Sequence, residues 1–174
     1  AAFGYHALGS TTTADSNAAF GAYAAFLNTT GANLVAVGSN SLYNNTTGSN
    51  NNAVGFQCLY NNTTGHSAVA MGYQAGRNQT TALYSTFVGD RSAGNGVVTG
   101  DKNTGLGHYS LYAVTSGAQN VAVGANTLDA NTTGADNTGV GYNALTANTT
   151  ASNNTAIGSS ALASNTTGTS CTAV

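Results

Sequence analysis

The sequence predicts an all-β repeat solenoid, a β-helix or β-roll of about ten coils of 17 residues, and three observations predict it. The first is a glycine at a fixed step. Gly4, Gly21, Gly38, Gly55, Gly72 and Gly89 each follow the last by 17 residues, Gly107 follows after 18, and Gly124, Gly141 and Gly158 return to 17. The second is the residue before it, which never turns polar: Phe3, Phe20, Val37, Val54, Met71, Val88, Leu106, Val123, Val140 and Ile157. The third is the alternation of the apolar stretch with no helical period. In "NLVAVG", Val35 and Val37 share one face, and Ala36 and Gly38 share the other. A unit this short cannot bury its apolar side alone, but stacked on like neighbours it builds a ladder, Val over Val and Leu over Leu. At about 4.8 Å per coil, ten coils make a rod about 48 Å long.

Each unit supplies its elements in one order. A strand of four or five residues ends at the marker Gly, which opens a turn. Four residues later a second short segment centres on Leu8, Leu42, Leu59, Leu111, Leu128, Leu145 and Leu162, a column broken only by Ala25, Gly76 and Ala93. Seven residues after the marker the Asn of "NTT" opens a second turn at Asn28, Asn45, Asn62, Asn131, Asn148 and Asn165, usually closed by a Gly three residues on. Asn tolerates left-handed geometry and Thr suits an adjoining β segment, while Asn at one height on every coil can ladder its amides. A further Asn column, Asn17, Asn51, Asn103, Asn120, Asn137 and Asn154, precedes the next strand. Residues 1–174 thus form a single repeat array with one irregular insert region, 77–105. That insert holds the extra residue and all three cations, Arg77, Arg91 and Lys102.

Composition excludes several classes. The chain has 174 residues with only three Lys or Arg and five Asp or Glu, for a net charge of −2. Nucleic acid finds no electrostatic footprint here, and polarity must come from Asn, Thr and Ser. No apolar run reaches the length of a membrane span, and no signal peptide opens the sequence. The chain begins and ends inside a repeat, as a cut in a longer array or a face meeting another copy would. Cys58 and Cys171 are too sparse for a disulfide framework and too isolated for a metal site.

The stretches "NTAIGSSAL" (Asn154 to Leu162) and "SAVAMGYQAG" (Ser67 to Gly76) resemble head-type repeats of trimeric autotransporter adhesins and related repeats of trimeric phage tail fibres. The resemblance implies an extracellular homotrimeric β-roll or β-helical stalk projecting from a cell or virion and able to bind a surface. The chain departs from that pattern in its longer period and in having no membrane anchor, coiled-coil stalk or self-cleaving chaperone domain.

Two sets of site residues follow. Ala two residues before the marker, alongside the marker Gly itself, makes a stripe almost without side chain. If this stripe faces outward it lets another backbone approach, so Ala36, Gly38, Ala53, Gly55, Ala122 and Gly124 are candidates for interchain packing, in a homotrimer or an end-to-end polymer. Asn28, Asn45, Asn62, Asn78, Asn131, Asn148 and Asn165 satisfy the Asn-x-Thr glycan acceptor pattern and are candidate glycosylation sites, with Asn44, Asn61 and Asn153 also fitting. The function expected is that of a structural subunit or shaft of an extracellular or virion or cell-surface fibre, glycosylated and surface-adhesive. The alternatives are an ice-binding β-solenoid, which the Thr rows suggest, and a carbohydrate-binding tail-fibre module, in which Tyr5, Phe56, Tyr73 and Tyr142 stack sugars. No enzyme and no cofactor is expected. His6, His66 and His108 share no column, and Asp90, Asp101, Asp129 and Asp136 lie in no calcium-loop pattern.

Overall fold

The computed structural model describes residues 1–174 and shows a parallel β-solenoid. Its eleven strands lie in one sheet in sequential order: β1 (Ala2–Phe3), β2 (Ala18–Phe20), β3 (Val35–Val37), β4 (Asn52–Val54), β5 (Val69–Met71), β6 (Thr86–Val88), β7 (Thr104–Leu106), β8 (Val121–Val123), β9 (Thr138–Val140), β10 (Thr155–Ile157) and β11 (Thr172–Ala173). The register carries the repeat: Ala36 pairs with Ala53 and Val37 with Val54, while Thr86 pairs with Thr104 across the single longer step. The strands are two or three residues long, shorter than the alternation suggested.

The rest of each coil is irregular yet strictly periodic, and the Leu segment is no strand. Three residues per coil take left-handed backbone, and all but Gly76 are non-glycine. Among them are Leu42 (φ 50), Leu59 (φ 50) and Leu145 (φ 54), with Asn40 and Asn143 two residues earlier in their coils and Asn50 and Asn153 near the coil end. Such geometry costs roughly 1–2 kcal/mol per residue outside glycine. It persists because it points backbone groups along the rod. Asn40 N–H donates back to Ala22 C=O (2.9 Å), and Leu42 N–H donates forward to Cys58 C=O (2.9 Å). Every coil is therefore bonded to both neighbours around its turns as well as along its strand.

The interior reverses the expected strand faces. Ala19, Ala36, Ala53, Ala70, Ala122 and Ala156 have no exposed surface, and the Val-type column on either side of them points out. Leu42, Leu59, Leu111, Leu128 and Leu145 fill the coil from the opposite side, all fully buried in the same cluster. At Gly139, in the Ala column, an added Cβ would meet Thr127 Cγ2 at 2.6 Å and Leu128 Cδ1 at 3.6 Å. A methyl is all that the strand can send inward where Leu occupies the coil.

Two of the three breaks in the Leu column, Gly76 and Ala93, have the same cause. Phe87 stands in the Ala column and is fully buried. The Leu position before it is Gly76, whose added Cβ would touch Phe87 Cδ2 at 3.0 Å. The Leu position after it is Ala93, and Gly105 on the next strand lies beneath the ring, with Cδ1 at 3.4 Å from its added Cβ. One large side chain has moved to the other wall, and its neighbours have shrunk to conserve volume.

Candidate self-association face and aromatic ridge

The two inner Asn columns converge on one carbonyl per coil. Asn17 and Asn28 both donate to Gly31 C=O at 2.9 Å, Asn51 and Asn62 to Gly65 C=O, Asn120 and Asn131 to Gly134 C=O, and Asn137 and Asn148 to Ala151 C=O. The "NTT" column also ladders between coils as expected. Asn45 Nδ2 donates to Asn28 Oδ1 at 2.8 Å and Asn62 Nδ2 to Asn45 Oδ1 at 2.7 Å. Val98 in the insert region and Val114 in the next coil interrupt this ladder, leaving Gln79 Oε1 without a partner.

These contacts correct the glycan expectation. Asn28, Asn45, Asn62, Asn131 and Asn148 are fully buried with their amides engaged, so none can accept a sugar while the coil is folded. Asn78 and Asn165 are half-buried, and both amides are committed. Asn78 donates to Gly94 and Asn95 C=O, and Asn165 donates to Gly168 C=O at 2.9 Å. Of the sequons, Asn153 is exposed, on left-handed backbone (φ 62), with its carboxamide free of protein partners. The Thr pair also divides. Thr29, Thr46 and Thr63 hydroxyls donate to the next coil's Thr carbonyl at 2.9–3.2 Å, so only the second Thr of each pair, as at Thr30, Thr47 and Thr64, faces water.

The small-residue stripe is corrected in the same way. Ala36, Ala53 and Ala122 line the interior and meet no other chain. Gly38, Gly55 and Gly124 do mark a close backbone approach, but between successive coils of this chain. Their φ values are 122–139°, and a Cβ on Gly38 or Gly124 would lie 2.5 Å from the carbonyl oxygen of Gly55 or Gly141.

What the sheet presents outward is the apolar column. Phe3, Phe20, Met71, Leu106 and Ile157 are exposed, with Val37, Val54, Val88, Val123 and Val140 half-exposed between them. The flanking outward column runs Ala18, Val35, Asn52, Val69, then Thr86, Thr104, Val121, Thr138 and Thr155. No charge interrupts this face over all ten coils, and Phe3 stacks flat on Phe20 at 5.3 Å. About 48 Å long and three residues wide, it projects roughly 500 Å².

Around the Gly corner lies a ridge of a different kind. Tyr5, His6, Tyr23, Phe26, Tyr43 and Tyr60 form a continuous train of ring contacts at 4.1–6.1 Å. Phe56 stacks on Tyr73 at 5.5 Å, and Tyr109 meets His108 and Tyr112. Between these rings, Arg77 Nε and Gln74 Nε2 both donate to Gln57 Oε1 (3.2 and 2.9 Å). Arg91 Nε donates to Gln74 Oε1 (3.2 Å) and its Nη1 to Tyr109 Oη (2.5 Å). The guanidinium carbons lie 5.4–5.8 Å from the Tyr60, Tyr73 and Tyr109 ring centres. The bond to Tyr109, followed by the field of the same group, holds the Arg91 pKa above its ordinary value. Sequence reasoning placed the cations in the irregular insert. It missed that stacking would set Arg77 beside Gln57 and Tyr60 on the preceding coil, although the shared phases of Gln57, Gln74 and Arg91 signal it.

His66 contacts Tyr84, and the three histidines come together nowhere; no group of three His, Cys, Asp or Glu residues could hold a metal ion. No helix is long and apolar enough to cross a membrane. No family model matches the chain, and neither curated proteins nor solved structures give a match.

Proposed function

We propose that the chain is a non-enzymatic structural subunit of an extracellular, virion or cell-surface fibre, whose copies associate laterally through the outer face of the parallel sheet. The observation that carries this is the uncharged apolar face running the length of the rod. A projected area of roughly 500 Å² without charge, with an unbroken apolar column along it, is in the range that marks interaction sites, and its side chains expose more than the projection. The face repeats every coil, so it is self-complementary along its length, which suits parallel copies around a common axis. Three copies is the number that the resemblance to adhesin head repeats implies. Glycan attachment, in this reading, falls to Asn153, and peptide mass mapping of native material should find it modified and Asn45 and Asn62 bare.

Sedimentation over a hundredfold dilution tests the association. Wild type should hold a multimeric mass, while Val54→Asp with Val123→Asp, which changes only outward positions, should sediment as a monomer with the circular dichroism of wild type. A wild type that stays monomeric, or a variant that keeps the multimeric mass, rules out this face. Growth of rods in length with no lateral mass assigns assembly to the ends instead.

A further inference from the structure

We infer that the Arg77–Arg91 segment of the aromatic ridge is a binding site for an acidic polysaccharide, a glycan chain bearing carboxylates. This rests on the reading of the rod as a surface-adhesive fibre subunit and names what it adheres to. The two guanidiniums are the only arginines of the chain, one coil apart, and all their hydrogen bonds go to neutral groups. Arg77 spends only Nε within the protein, leaving both terminal nitrogens free. Arg91 spends Nε and one N–H of Nη1, leaving Nη2 and the other N–H. Gln57 and Gln74 hold both side chains at Nε and the tyrosine rings flank them, so the planar forks are fixed in orientation before anything binds. Little rotamer entropy remains to be lost when a carboxylate is taken.

The surroundings select a sugar chain. Phe56 and Tyr73, exposed at their edges while their faces meet each other and the Arg91 guanidinium, and the half-buried Tyr60 and Tyr109 beside them offer apolar contact and phenol hydroxyls to pyranose rings. The amide row Asn44–Asn61–Asn78, laddered at 2.8–2.9 Å, runs beside Arg77 with donor and acceptor capacity for hydroxyls. The rod has no cavity in its surface, which suits an extended polymer crossing several coils better than an enclosed small molecule. Two cations among neutral amides match carboxylates carried one per sugar ring. A continuous phosphate backbone would find only Lys102 as a further cation.

The test is titration calorimetry with polygalacturonate fragments, the same fragments after carboxyl reduction, neutral dextran of matched length, and oligo-dT, all at fixed salt. Wild type should bind polygalacturonate at least about tenfold more tightly than its carboxyl-reduced form and than oligo-dT. Arg77→Gln with Arg91→Gln should lose that preference, and Tyr73→Ala should weaken the acidic and the reduced polymer alike. Arg77→Lys with Arg91→Lys, which keeps the charge, should fall between wild type and the Gln pair because the fork and the ring stacking are lost. Equal binding of reduced and acidic polymer, oligo-dT binding as tight as polygalacturonate, no binding at all, or an unaltered Gln pair would each overturn the site. Sedimentation of the same samples reports the multimer separately. Lost glycan binding with an intact multimer therefore counts against this site alone, and a monomeric wild type that binds polygalacturonate counts against lateral association alone.

Discussion

Apart from the Phe87 segment, the coils from Gly4 to Gly107 and those from Gly124 onward have the same inside and different outsides. Ala36 and Ala53 beneath Leu42 and Leu59 recur as Ala122 and Ala156 beneath Leu128 and Leu145, all without exposed surface. On the ridge, however, Tyr23, Gln57, Gln74, Arg91 and Tyr109 give way at the same phase to Asn126, Asn143 and Ser160, and Tyr43 and Tyr60 give way to Asp129, which accepts a hydrogen bond from Thr146 at 2.6 Å. The backbone is indifferent to this change because its bonds run between coils and its volume is decided within. Chemistry that differs along a uniform scaffold is where recognition is found, which is why the ridge of the earlier coils carries the proposed site.

The largest effect should come at the one place where a ring replaces Ala in the inner column. Phe87→Ala empties a fully buried ring among Gly76, Ala93 and Gly105, none of which can close the space, and should cost about 3–5 kcal/mol in denaturant melts. Gly76→Leu alone crowds Phe87 and Leu59 and should cost about 1–3 kcal/mol. Together the two changes restore the Leu-over-Ala arrangement of the other coils, at a backbone (φ 57) close to that of Leu59 (φ 50), and should recover most of the loss. Additive losses in the double variant would show that the Phe87 segment is not governed by the volume rule that governs the other coils.

The amide columns offer the next contrast. Asn62→Leu removes donors to Asn45 Oδ1 and Gly65 C=O and the acceptor for Gln79, while Gly65 C=O keeps Asn51. Asn120→Leu likewise leaves Gly134 C=O with Asn131, but it also orphans the backbone N–H of Asn137, which donates to Asn120 Oδ1 at 3.1 Å. Unsatisfied buried groups cost about 1–3 kcal/mol each, so the Asn120 variant should be the less stable by about 1 kcal/mol or more. Equal losses would mean that the side-chain ladder of the Asn62 column carries as much as the backbone-anchored Asn120 column.

Period, parallel stacking and the Asn ladder were legible because each is a property of spacing. The direction of the strand faces was not. Alternation shows that Val35 and Val37 share a side, but which side is inner depends on the width of the coil, and Leu42 arriving from the far wall decides that. The left-handed backbone at Leu42 was hidden because Leu has no preference for it, and only Gly76 in that column hinted at it. The sequons misled for a related reason: Asn-x-Thr records local order, whereas Asn45 and Asn62 are buried by the neighbouring coils. The Arg network is likewise a product of stacking, since Gln57 and Arg77 lie 20 residues apart in sequence.

On the ridge itself the difference between regions should be measurable and modest. Tyr43→Ala breaks ring contacts with Tyr23, Phe26 and Tyr60 and should cost about 1 kcal/mol. Thr146→Ala removes a surface hydrogen bond and should stay within about 0.5 kcal/mol. A Tyr43 variant as stable as wild type would assign the aromatic train wholly to recognition.

The smallest effect leaves stability untouched near neutral pH and reads the two regions through their cysteines. Cys58 lies in the closed core of an earlier coil, and burial pushes its thiol up to about 12, partly offset by a hydrogen bond with the Val54 backbone. Cys171 lies in the last coil, half-exposed. Only the thiolate reacts with alkylating reagents, so at pH 8 the folded chain should take up one label, on Cys171, and a second only in denaturant. The raised Cys58 value means that the folded state holds its proton more tightly than the unfolded state. Its contribution to stability is therefore complete below the ordinary thiol pKa and is lost as pH rises from there towards 12. Labelling of Cys58 should accordingly begin only in alkaline solution, together with loss of the β signal. Fast labelling of Cys58 at pH 8 with the β signal intact would show that the earlier coils open locally, and that the uniform interior does not extend to uniform stability.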